Sequence, residues 1–210
     1  MKKIIYLLSA LCLLSVVIFT GCGGATNKDS TDPVTIYSDS SKDGRVVKQP
    51  KTILVQPYLD VGGWYYSGGA NGIHRSFLHF NISNLSNKNI KSAELYLYRS
   101  ETIGTPSNLG KLYLDHLDYG VLEKEDFYRA ELENKIITLT SLHPNDQIGW
   151  ETVDLTDFVR NDILNKKSYS QFRLRREKDY IPTNAADHRD CWHSEADNKD
   201  LRPKLVVTYQ

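Results

Sequence analysis

The chain has 210 residues, and its 26 Lys and Arg balance its 26 Asp and Glu, for a formal net charge of zero. No basic run or Lys/Arg stripe interrupts that balance, which excludes nucleic acid as a partner. The length beyond a leader and a polar stretch is enough for one core of roughly 160 residues.

At the N-terminus, Lys2 and Lys3 precede an apolar run over residues 4–19. This is the pattern of an export signal, because a membrane-spanning helix needs about 20 apolar residues. The run ends in "FTGC", which resembles the bacterial lipobox. Residues 1–21 are therefore expected to form a lipoprotein signal peptide, with Cys22 as the lipidated first residue of the mature chain. Cleavage would leave a net charge of about −2 and Cys191 as the one cysteine of the folded domain, without a disulfide partner. Residues 22–50, rich in Ser, Asp and Gly, are expected to be a flexible tether.

The domain, residues 51–210, reads as β throughout. "SFLHFNI" sets Phe77, His79 and Asn81 against Leu78, Phe80 and Ile82. "SAELYLYRS" sets Ala93, Leu95 and Leu97 against Glu94, Tyr96 and Tyr98. "KLYLDHL", "KIITLT", "QFRLR" and "KLVVTY" are further short runs of β-branched and aromatic residues between turn residues. Their number and spacing predict an all-β jelly-roll sandwich. One short helix is predicted in "VDLTDFVRNDILNKK", capped by Asp154 or Thr156, with Leu155, Phe158, Val159 and Ile163 on one face.

The order of the pieces, "FLHFNISNL", "IKSAELYLY", "WETVDLTDFVRND", "QFRLRRE" and "SEADNKDLRPKLVVTY", resembles the DNRLRE domain over residues 52–210. That is a bacterial and archaeal extracellular β-sandwich related to disaggregatase surface modules. The resemblance implies a carbohydrate-binding-module-like fold and, in some members, acidic ligands such as alginate. It is carried mainly by scaffold residues, so any function has to be argued from sites.

Two surface features suit a polysaccharide. "GGWYYSGG" holds Trp64, Tyr65 and Tyr66 between glycine pairs, as on a loop that could stack sugar rings. In "QFRLRREK", Arg173 and Arg175 alternate with Phe172 and Leu174. An inward apolar pair puts both guanidinium groups on the outer face about 7 Å apart, where uronate carboxylates could be engaged bidentately. Arg75 would extend that patch; the competing reading of the same residues is a solvated face, or ion pairs with nearby acids such as Glu177.

"DCWHSEAD" is expected to be structural. Aligning Glu195-Ala196 with the corresponding pair of the family turns Cys191, His193 and Glu195 inward and Trp192 outward as a further stacking platform. A register one residue away buries Trp192 instead. The His and Cys spacing does not suit zinc, no cofactor is expected, and a structural calcium has only Asp60 and Asp197 as weak ligands. No nucleophile elbow, H-E-x-x-H or phosphate loop is present. The reading from sequence is thus an exported, lipid-anchored and non-catalytic module binding polysaccharide, of undetermined oligomeric state. The alternatives are an adhesive surface protein that binds protein or cell wall, and a polysaccharide lyase or hydrolase.

Overall fold

The computed structural model describes residues 32–49, 52–65, 71–132, 136–139, 148–179, 188–192 and 198–210. In chain order the strands are β1 (Val34–Tyr37), β2 (Gly44–Lys48), β3 (Ile53–Gln56), β4 (Leu59–Trp64), β5 (Gly72–Asn81), β6 (Ile90–Ile103), β7 (Leu112–Leu117), β8 (Ile136–Leu139) and β9 (Gly149–Asp154). Helix α1 (Thr156–Leu164) follows, then β10 (Tyr169–Arg176), β11 (His188–Trp192) and β12 (Lys204–Tyr209). The predicted all-β, sandwich-like fold with one helix is what the chain adopts, as a large antiparallel sheet that does not close into a barrel.

The sheet runs β1-β12-β6-β11-β4-β5-β10-β7-β8, with β9 added to β6, and with β2 and β3 added to β5. Its two halves are joined through β5. That strand pairs with β4 along residues 72–74 and with β10 along residues 76–81, while β2 lies alongside residues 73–77. Such a handover bends the sheet over its own core. The main core collects Leu78 and Phe80 of β5, Ala93, Leu95 and Leu97 of β6, Phe172 and Leu174 of β10, and Leu205 and Val207 of β12. These are the faces that the alternation predicts.

Helix α1 also lies where its apolar face requires. Leu155, Phe158 and Val159 enter the main core, with Ile163 partly buried against it. Asp154 accepts the Thr156 N–H (2.9 Å), although the cap position itself is Leu155. Asp162, fully buried on the helix, accepts from Ser170 Oγ (2.6 Å) and His116 Nε2 (2.9 Å), which ties α1 to β10 and β7.

Three expectations need correction. Residues 22–50 are not wholly a tether: β1 pairs with β12 and β2 with β5, because "VTIY" and "GRVVK" each supply one strand inside a polar stretch. The alternation in "SFLHFNI" does not divide core from solvent. Phe77 and His79 are buried too, since Phe77 belongs to a second cluster with Val46, Ile73, Leu117, Tyr119 and Phe127. Finally, β11 takes the other register: Trp192 is 2 % exposed and sits in the main core. Asp190 and Trp192 turn inward at alternate positions along β11, while the pairing with β6 skips Ser100 between Cys191 and Trp192, a bulge on the β6 side.

Candidate functional site

Beside the Asp162 cluster, arginines meet acids inside the sandwich in three places among the described residues. The first centres on Asp60 of β4. Its Oδ2 accepts from Arg45 Nη1 at 2.5 Å and from Arg189 Nη1 at 2.9 Å, and its Oδ1 accepts from His74 Nδ1 at 2.9 Å. The strands bring these groups together. Gly62 of β4 stands opposite both His74 and Arg189, and Arg45 stands opposite Ser76.

Burial alone would raise the Asp60 carboxyl. The His74 hydrogen bond and the Arg45 charge overcome it and hold the acid far below the usual carboxylate range. Burial lowers His74 despite Asp60, so the imidazole is neutral at pH 7. Trp64 meets His74 edge-on at 5.6 Å, and the Arg189 guanidinium lies 5.1 Å from the Trp64 ring centroid. A cleft of about 340 Å³ opens here, lined by Arg45, Asp60 and Arg189 together with Tyr58, Leu59 and Trp192.

The second cluster is buried except for Arg176, which is partly exposed. Arg99 bonds Glu151 (2.6 Å) and Asp190 (2.7 Å), Arg176 closes on the other oxygen of Asp190, and the Trp192 indole donates to Glu151 at 3.1 Å. The third surrounds Asp115. Arg173 and Arg175 both donate to its Oδ2, Arg175 reaches Glu131 at 3.2 Å, and Arg173 Nη1 donates to the Arg129 carbonyl at 2.8 Å.

The residues predicted to bind sugar do not form one surface. Arg173 is 2 % exposed, facing the second core cluster rather than solvent, because the segment around residues 123–131 covers that side of β10. Arg175 is bound to the same acid. Arg75 donates to the Phe127 carbonyl (2.5 Å) and pairs with Asp179 (2.9 Å), so it helps to hold that cover rather than extending a basic patch.

Trp64 ends strand β4 and is half-buried, Tyr65 follows it, and Tyr66 lies outside the described residues. Trp192 offers no platform. Asp60 is saturated by three donors and cannot serve calcium, while Asp197 and Cys22 lie outside the described residues. Among the described residues no group of three or more His, Cys, Asp or Glu could hold a metal ion. The residues that converge on Asp60, namely Arg45, His74 and Arg189, were not singled out in the sequence. Each lies beside a more conspicuous neighbour, and only the strand register unites them.

Residues 63–208 match the family described as the TGF-beta propeptide. No curated protein matches the chain. The family match overturns the resemblance to the DNRLRE group, and with it the polysaccharide ligand and the bacterial lipoprotein assignment. It likewise gives no support to a lipid anchor. Export stands, since propeptides of this kind are extracellular.

Proposed function

This chain belongs to the TGF-beta propeptide family, and from that premise we propose that it is an exported, non-catalytic binding module whose partner is a growth factor of TGF-beta type. The family is non-enzymatic, and its propeptides associate with the mature growth factor. The observation that carries the reading is the extent of the match, which runs from Gly63 in β4 to Thr208 in β12. The lysine pair and apolar run at residues 2–19 fit an export signal for such a protein.

A surface suited to a protein partner lies at the sheet edge. Among the described residues β3 pairs with β2 alone, and it exposes Leu54 (39 %) and Val55 (46 %) beside Tyr58 (50 %). An apolar strand edge of this kind is a template for a partner's strand or apolar face. Co-elution of the exported chain with a mature TGF-beta growth-factor dimer in size-exclusion chromatography tests the reading. Association is expected, weakened at least tenfold by Val55→Lys. A chain that elutes alone at micromolar concentrations of both proteins would refute it.

A further inference from the structure

The outer face of the sheet gathers aromatic rings at one place. On β6, Ala93, Leu95 and Leu97 turn into the core, so Glu94, Tyr96 and Tyr98 point outward. The register sets Trp150 of β9 opposite Tyr98, and Lys204 of β12 opposite Tyr96. Trp150 meets Tyr98 at 5.4 Å and 82°, and Tyr96 at 6.4 Å and 76°, so both phenol rings stand nearly perpendicular to the indole. The three rings and Lys204 are all half-buried.

A cation already occupies this cage. Lys204 Nζ lies 4.4 Å from the Trp150 ring centroid and 5.7 Å from that of Tyr96. Glu94 accepts from the Tyr96 hydroxyl at 3.0 Å and adds negative charge beside the rings. A primary ammonium is nevertheless a poor filling: it is strongly hydrated, and its long stem loses rotamer freedom when the head is held. A trimethylammonium group carries the same charge with no N–H to satisfy. Exchange would return the lysine head to water and surround the methyl groups with aromatic faces. The displaced ammonium stays tethered beside the cage, where it can pair with an anion on the same ligand. The phosphate ester of choline places such an anion at the other end of a two-carbon link.

We propose that Tyr96, Tyr98 and Trp150 form a binding site for a phosphocholine group, with Lys204 as an exchangeable occupant that turns to the phosphate. The site lies on strands other than the β2–β3 edge and does not rest on the propeptide reading.

The full chain, labelled with ¹⁵N, can be titrated with phosphocholine, with choline and with 3,3-dimethylbutyl phosphate, which keeps the shape but has carbon in place of the charged nitrogen. Phosphocholine should shift the Trp150 indole N–H resonance saturably, and the carbon analogue should bind at least tenfold more weakly. Lys204→Gln takes the resident cation out of the cage and removes the partner of the phosphate. It should tighten choline at least threefold and abolish the advantage of phosphocholine over choline. Tyr98→Leu, which removes one wall and keeps the reporter, should weaken phosphocholine at least tenfold. If Tyr98→Leu does not fold, Lys204→Gln decides the matter.

Equal binding of phosphocholine and the carbon analogue, or choline binding unchanged in Lys204→Gln, would overturn the proposal, as would the lack of any saturable shift. Flotation of the chain with phosphatidylcholine vesicles, and not with phosphatidylglycerol vesicles, assigns the group to a lipid. Phosphocholine binding without flotation assigns it to a soluble ester, and either result bears the proposal out.

Discussion

Asp60 receives three donors on two oxygens, and two of the donors are arginines that have been taken out of water to reach it. Asp60→Asn would leave Arg45 and Arg189 facing each other across a neutral amide, and breaking a buried pair in this way costs about 3–5 kcal/mol. A fall of that size in the urea unfolding free energy is expected, with little change in the m-value. Cys191 behaves differently. Burial first, and then the charge of Asp60, push its thiol up to about 12, so little thiolate exists at neutral pH. The native chain should react with a thiol reagent at pH 8 at least a hundredfold more slowly than the urea-unfolded chain. This slowness comes first from the partial burial of Cys191 and then from its charged surroundings, so it holds even though the register puts Trp192 rather than Cys191 in the main core. Individual side chains were also the least legible part of the sequence. Arg173 alternates with core residues as an outward residue should, but a covering segment turned its outer face into an inner one.

Elements were legible where one face alone is buried. Ala93, Leu95 and Leu97 alternate with Glu94, Tyr96 and Tyr98, and β6 buries only the first set. The helix was found from Leu155, Phe158 and Val159 for the same reason. Strands buried on both faces misled the alternation instead: Phe77 and His79 of β5 and Arg173 of β10 alternate with core residues and are buried all the same. "HRDCW" carries Asp190 and Trp192 inward together and forms β11 nonetheless, because Arg99 and Arg176 neutralise the acid. β4 and β11 also depend on a glycine. Gly62 has φ +139°, and a Cβ there would lie 2.0 Å from the His188 carbonyl oxygen. Gly62→Ala must therefore separate β4 from β11. It should cost about 3 kcal/mol or more, accompanied by faster amide hydrogen exchange in β11 than in β12.

For the whole molecule, the pH dependence of stability should show the buried histidines. Burial first, and then the Lys42 charge, lower His79 to about 4, and its neutral Nδ1 accepts a hydrogen bond from Gln171 Nε2 at 2.7 Å. An unfolded histidine titrates near 6.5, so between about 4 and 6.5 the unfolded chain binds the extra proton. Stability should be full above 6.5 and fall as the pH drops toward 4, and His74 acts in the same direction. Urea titrations at pH 7, 5.5 and 4.5 should reveal the slope, and His79→Gln should flatten it. At this scale the β class, the helix and the main core were open to sequence reasoning, whereas the family was not, because short strand motifs recur in unrelated sandwiches.

One pairing also governs the time at which the molecule can become complete. β1, near the start of the described chain, hydrogen-bonds with β12 about 170 residues later. On a ribosome that synthesises 5–20 residues per second, β1 waits roughly 10–30 s for its neighbour. During that wait it is an unpaired strand carrying Val34 and Ile36. The sheet therefore closes last where its chain began, and export before closure would keep that strand from premature pairing.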